Sequence, residues 1–228
     1  MTDAPSCDRI SQRIAALRQT LPASVKLIAV TKQVPPAAMR EAYAAGVRDF
    51  GESRVQEAEA KQAELTDLKD VTWHLIGHLQ ANKAQKALQL FQWIHSVDSL
   101  KLAQRLDRLA ASLAQKPNVC LQVKLLPDPT KYGWSAAELI ADLPELNQCQ
   151  SLNIRGLMTI APLGLTDDEL LNLFKQTAQL AATIQNRHWN HIQMHELSMG
   201  MSADYPLAVQ AGATMIRVGR SLFGDRPL

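Results

Sequence analysis

The 228 residues contain no apolar stretch long enough to span a bilayer. The N-terminus carries Asp3 and Asp8 and has none of the pattern of a signal peptide. The formal net charge is only +2 and no block of lysine and arginine stands out, which argues against nucleic acid as a partner. Cysteine is scarce as well. Cys7, Cys120 and Cys149 are scattered, odd in number and free of CxxC spacing, as reduced thiols of a cytosolic protein would be. There is no internal repeat, linker or low-complexity segment. What remains is a soluble cytoplasmic chain whose hydrophobic content of 46% supplies one core without staples.

The pattern that is present is alternation. An amphipathic helix over Ser6–Leu21, with Ile10, Ile14, Leu17 and Leu21 on one face, precedes a buried strand over Val25–Lys32. Pro35-Pro36 suits the first turn of a helix carrying Met39, Ala42 and Tyr43. Val47–Phe50 reads as a second strand, broken by Gly51, and Ser53-Arg54-Val55-Gln56 as a capping box opening the next helix. Strands follow over Val71–Ile76, Trp93–Val97 and Val119–Val123, with helices from about Asn82 and along Leu102, Leu106, Leu109 and Leu113. Leu126–Trp134, with Pro127 and Pro129, is the longest irregular loop and a candidate lid. The remaining strands are placed over Leu152–Met158, Gln193–Leu197 and Ala213–Val218. Thr166-Asp167-Asp168-Glu169 caps a helix with Leu170, Leu173, Leu180 and Ile184 on its apolar face. Strand and helix in strict turn predict right-handed crossovers and a parallel sheet. Eight units in one domain predict a (β/α)8 TIM-type barrel with an extra N-terminal helix.

Two places look chemical. Lys32 ends the first strand, where α/β proteins collect ligand-binding side chains. A partly desolvated amine there loses its proton more readily, as Schiff-base chemistry requires. At the far end, Met215-Ile216-Arg217-Val218-Gly219-Arg220 runs from a strand through a glycine into a helix start, a junction suited to phosphate. In eight-stranded barrels the phosphate site often follows the last two strands. Arg217 within a strand would be costly to bury unpaired, so it predicts a partner. Other residues read more plainly. Met158 and Met199 suit packing. His188, His191, His195 and Glu196 span a loop and a strand and fit no standard zinc pattern. His74 and His78 straddle the third strand and its loop, one candidate for facing a ligand and both candidates for structural hydrogen bonding.

Several blocks in order carry a resemblance: Ala29-Val30-Thr31-Lys32, Asp49-Phe50-Gly51-Glu52, His74-Leu75-Ile76-Gly77-His78-Leu79-Gln80, Asn82-Lys83, Arg155-Gly156-Leu157-Met158, Leu197-Ser198-Met199-Gly200-Met201-Ser202 and Ile216-Arg217-Val218-Gly219. Over nearly its whole length the chain resembles the pyridoxal phosphate homeostasis protein family, which looks like the barrel domain of alanine racemase alone. The resemblance implies a pyridoxal 5′-phosphate site. Lys32 would hold the cofactor as a Schiff base, and Ser202 would hydrogen-bond its phosphate. The N–H groups of Gly219 and Arg220 would complete the cradle, and Arg217 would approach the pyridine nitrogen. An arginine there makes the ring a weaker electron sink than an aspartate would. Ser202 also suits the N-cap of a helix through Tyr205 and Leu207, and the two roles are compatible. Two departures stand out. Ser53 occupies a position where the family often has asparagine, and Arg220 one where it usually has a small hydroxyl residue.

The implied function is a cofactor carrier or buffer that affects amino-acid and keto-acid balance indirectly, without efficient turnover. It would be a monomer, with transient contacts to cofactor-requiring enzymes or a regulatory protein. A racemase is the first rival: it needs a second acid–base group, which in alanine racemases is a tyrosine of a further domain, and Tyr132 is the only plausible substitute in this sequence. A Schiff-base aldolase of a phosphorylated sugar is the second rival.

Overall fold

Helix α1 (Cys7–Thr20) leads into eight strands that alternate with helices: β1 (Lys26–Val30), α2 (Pro36–Ala44), β2 (Asp49–Glu52), α3 (Val55–Glu64), β3 (Thr72–Leu75), α4 (Ala84–Leu90), β4 (Trp93–Val97) and α5 (Leu100–Ala110). The series continues with β5 (Asn118–Val123), α6 (Ala136–Leu146), β6 (Asn153–Thr159), α7 (Asp167–Gln185), β7 (Ile192–Ser198), α8 (Tyr205–Gln210), β8 (Met215–Val218) and α9 (Arg220–Phe223). This computed structural model describes residues 7–128 and 130–224, without the side chains of Cys7 and Asp8. Ser6, Pro129 and the tail Asp225-Arg226-Pro227-Leu228 lie outside the described residues. The strands pair in chain order, all parallel, and β8 returns to β1 to close a barrel, with Lys26 opposite Met215 and Ala29 opposite Val218.

Two apolar layers hold it. The outer layer lies between strands and helices, where Phe50, Leu106, Leu139, Leu143 and Phe174 are fully buried. Each such side chain is worth roughly 1.5–3 kcal/mol. The inner layer fills the barrel with Ile28, Trp93, Cys120, Met158 and Met215. Met158 and Met199 both pack in the core, as their composition suggests.

The barrel and its leading helix match the expectation, and the differences are local. The second strand runs through Gly51 to Glu52, because a Cβ at 51 would come within 2.9 Å of Ile28 Cγ2. The close approach makes glycine part of the strand. Ser53 is not a helix cap: Arg54 holds that place, with no side-chain capping bond, and α3 begins at Val55. Thr166 does cap α7, in a full capping box with Glu169. A second box, Ser135 with Glu138, opens α6 (a helix whose Ser-x-x-Glu signal is present in the sequence). The lid-like loop is tied to β5: Gln122 O accepts from Trp134 N–H, Trp134 O accepts from Lys124 N–H, and Gln122 Nε2 donates to Tyr132 O.

Candidate functional site

At the carboxyl ends of the strands lies a cavity of about 560 Å³. Its wall includes Lys32 after β1, Ser53 after β2, Ser202 and Asp204 after β7, and Arg217, Gly219 and Arg220 on and after β8. Ile160 to Leu165, the loop after β6, completes it. All five residues singled out in the sequence thus share one cavity. A smaller cleft, lined by Asp98, Trp134, Glu138 and Asp142, contains none of them.

Lys32 stands two residues beyond β1 and is half-buried. Its neighbours are held from behind. Lys61 Nζ donates to Thr31 O (2.6 Å), Glu52 Oε1 (2.8 Å) and Glu57 Oε1 (2.7 Å). The Thr31 hydroxyl donates to Glu52 Oε1 at 2.6 Å, and the N–H of Gln33 donates to Glu57 Oε1. Gln33 has φ of 60°, a left-handed conformation that only a well-determined surrounding sustains in such a residue. Glu52 is fully buried and its Oε2 has no partner among the described residues. Burial outweighs Lys61 and Thr31 and holds Glu52 above the usual carboxylate range. Burial also pushes Glu57 up, but the Lys61 and Gln33 donors prevail and hold it below that range.

Ser202 follows Gly200, whose φ of +89° and closeness to Ala208 (2.6 Å from an added Cβ) admit no other residue without strain. Ser202 does not cap α8. Asp204 takes the cap position and accepts from Met201 N–H, which leaves Ser202 to turn elsewhere. Its Oγ accepts from the N–H groups of Gly219 (3.3 Å) and Ser221 (3.4 Å). A hydroxyl and two backbone donors therefore converge at the cavity wall. The pair of donors on Ser202 is Gly219 and Ser221, and Arg220 brings an exposed side chain to the same wall.

Arg217 is almost fully buried and partnered, as burial of its charge demands. Nη1 donates to Ser198 O (2.6 Å) and Ser198 Oγ (2.8 Å), and Nη2 to Thr159 O (2.8 Å). Burial lowers the guanidinium to about 10. Behind it runs a polar line that sequence reasoning missed: His95 Nδ1 to Ser198 Oγ at 2.7 Å, His74 Nδ1 to His95 Nε2 at 2.9 Å, and Asp49 Oδ1 to His74 Nε2 at 2.9 Å.

The other candidates lie outside the cavity. His78 is bonded to Asp98 at 2.9 Å and stacked on Tyr132, with ring centroids 3.7 Å apart. Neither it nor His74 lines the wall, and neither does any described residue of the 124–134 loop. Among the described residues no group of three His, Cys, Asp or Glu side chains could hold a metal ion, and no helix is long and apolar enough to cross a membrane.

Comparison with known proteins decides the kinship. The family model for the alanine racemase N-terminal domain matches residues 6–227. A pyridoxal phosphate homeostasis protein of Synechocystis is 51% identical over 207 residues, 91% of this chain and 94% of its own. The chain belongs to the pyridoxal phosphate homeostasis protein family. Its Escherichia coli K12 relative of the same name is 35% identical over 90% of this chain and 87% of that one. The structure of PipY from Synechococcus elongatus PCC7942 with PLP bound superposes with a TM-score of 0.90 at 61% identity, covering 94% of this chain and all of that one. Alanine racemase of Clostridium difficile 630 has the same fold at TM-score 0.73 and 18% identity, with 97% of this chain covering 58% of the racemase.

Proposed function

We propose that the protein binds pyridoxal 5′-phosphate in this cavity, holds it on Lys32 as a Schiff base, and serves intracellular homeostasis of the cofactor. The observation that carries this is the convergence of Lys32, Ser202, Gly219, Arg220 and Arg217 on one cavity, of a size suited to a small cofactor. The donor set fits the group. The Ser202 hydroxyl, which accepts from the N–H groups of Gly219 and Ser221, keeps its own hydrogen to donate to the phosphate. Arg217 spends three of its N–H groups on protein oxygens, and the other two have no acceptor among the described residues. They suit the ring nitrogen. When bound, the cofactor would supply an aldehyde, and the Lys32 amine would be the group that holds it covalently, as a Schiff base with loss of water. The names of the relatives and the bound PLP of PipY support the same reading.

In this role the protein carries and buffers the cofactor as a cytoplasmic monomer, residues 1–228 forming one cofactor-binding unit. Transient contacts with recipient enzymes or a regulatory protein would pass the cofactor on. Cys120 and Cys149, both unpaired, accord with a reducing compartment. Efficient turnover is not expected. Among the described residues of the wall there is no tyrosine or histidine to serve as a second base, and Tyr132 is stacked on His78. General acid–base help is worth roughly 10²–10⁴ in rate.

The test is borohydride reduction of the cofactor-loaded protein followed by peptide mapping. The phosphopyridoxyl group should sit on Lys32 and be absent from Lys32→Ala. Finding it on Lys26, Lys83 or Lys131 would overturn the site. Loaded protein in deuterated water should exchange the α-proton of L- and D-amino acids slowly. A kcat on the order of 1 s⁻¹ or more would make it a racemase.

A further inference from the structure

The barrel interior of a (β/α)8 protein is ordinarily packed with branched apolar side chains in layers. Here Ile28, Trp93, Cys120, Met158 and Met215 do that, but a polar line passes among them. It starts at Asp49, the first residue of β2, whose partner Lys26 (3.2 Å away) is 42% exposed. It crosses His74 on β3, His95 on β4 and Ser198 on β7, all fully buried, and ends on Arg217.

The two ends dictate the direction of every bond. Arg217 can only donate, and an ionised Asp49 can only accept. Burial pushes Asp49 up, but the bond from His74 and the Lys26 charge hold it below the usual range, so it is ionised. Each neutral imidazole has a single N–H. His74 must then donate from Nε2 to Asp49 and accept at Nδ1 from His95 Nε2–H. His95 must accept at Nδ1 from the Ser198 hydroxyl, and Ser198 Oγ accepts from Arg217 Nη1. One tautomer of each histidine satisfies the whole line. A proton added to either imidazole reverses the bond to Ser198, because an imidazolium donates from both nitrogens and Ser198 Oγ would then have to accept from His95 as well as from Arg217. Burial disfavours that charge at both positions.

We propose that Asp49, His74, His95 and Ser198 are positioning residues: a one-way hydrogen-bond relay that fixes the Arg217 guanidinium toward the ring nitrogen of the cofactor. This rests on the function proposed above. An apolar filling would pack the same space without buried polar atoms to satisfy, so a line that terminates on the arginine of the cavity wall is explained by what that arginine must do. Nη1 uses both its hydrogens on Ser198, so the plane of the guanidinium, and with it the direction of its two spare N–H groups, is set by the relay and by Thr159 O.

The test compares pyridoxal 5′-phosphate with its carbocyclic analogue, in which C–H replaces the ring nitrogen. Ser198→Ala removes one oxygen and leaves the carbonyl contacts of Arg217 in place. It should weaken binding of the true cofactor about tenfold, the scale of one hydrogen bond to a charged group, and should move its visible absorption band. Binding of the analogue should stay within about twofold, roughly 0.4 kcal/mol. His95→Leu should behave alike, whereas His95→Gln, with one acceptor and a donor, should recover most of the loss. If His95→Leu does not fold, Ser198→Ala carries the comparison alone. Wild-type affinity for the cofactor in Ser198→Ala, or equal loss for both ligands, would overturn the relay while leaving the site intact. A wild-type protein that binds neither ligand would overturn the site and the relay together.

Discussion

Behind Lys32 the network is charged, and behind Arg217 its fully buried members, His74, His95 and Ser198, are neutral, with the ionised Asp49 kept at the far end. Lys61, Glu52 and Glu57 meet beneath the turn that carries Lys32, and they grip backbone on either side of it: the carbonyl of Thr31 and the N–H of Gln33. Asp49, His74, His95 and Ser198 instead run through the apolar centre of the barrel and grip a side chain. The difference follows from where each network sits. Glu57 is part-exposed, so the cluster of two carboxylates and one ammonium reaches water, which screens the charge that Lys61 leaves over. The barrel centre offers no such relief, and there an uncompensated ion would cost several kcal/mol. Neutral imidazoles carry the polarity across without a net charge.

The sharpest way to break this contrast is to remove Lys61. Lys61→Met strands Glu52 and Glu57 without their cation, and breaking a buried pair in this way costs about 3–5 kcal/mol. Denaturant unfolding should show that loss, while Glu52→Gln, which still accepts from Lys61 and Thr31, should lose much less. Equal effects would mean that charge plays no part behind Lys32.

Ser202 belongs to neither network and isolates the cradle from both. Ser202→Ala removes one bond to a charged group, about 1.5–3 kcal/mol, so affinity for pyridoxal 5′-phosphate should fall about ten- to a hundredfold. Binding of unphosphorylated pyridoxal, measured by the same titration, should barely change. A matching loss for both would make Ser202 a structural residue only.

The smallest effect separates the networks by pH. Burial holds His74 and His95 below their ordinary range; His74, Arg217 and Lys26 oppose protonation of His95 further, while at His74 Asp49 favours it and Lys26 opposes it. The unfolded chain accepts protons near pH 6.5 and the native state resists them. Stability is therefore full above about pH 7 and falls as pH drops below 6.5, by about 1.4 kcal/mol per pH unit for each histidine, until the native histidines titrate. His95→Gln should remove its share of that slope. An unchanged slope between pH 5 and 6 would show that His95 is not held neutral.

The architecture was legible because alternation of strand and helix leaves few topologies, and the meeting of five residues in one cavity because they lie in motifs beside strand ends. The networks were not. Lys61 stands four residues after Glu57 on a helix, the signature of a solvent-exposed pair, and its burial against Glu52 depends on how α3 lies on β2. His74, His95 and Ser198 come from three separate strands, and only closure of the barrel turns all three inward. Ser53 misled for a simpler reason: a capping pattern names four residues but cannot say where the helix starts, and Gly77 draws the chain so close that an added Cβ would lie 2.3 Å from Ser53 O.

The closing seam has a consequence for the order in which the protein becomes competent. β8 pairs with β1 across almost the whole of the chain, and Gly219 and Ser221, which meet Ser202, follow β8 directly. During synthesis Lys32 leaves the ribosome well before the residues of its partner wall. Until residues 215–221 are made, β1 lacks its partner β8 and Ser202 lacks the N–H groups of Gly219 and Ser221. The same few residues thus shut the barrel and complete the cavity wall that faces Lys32.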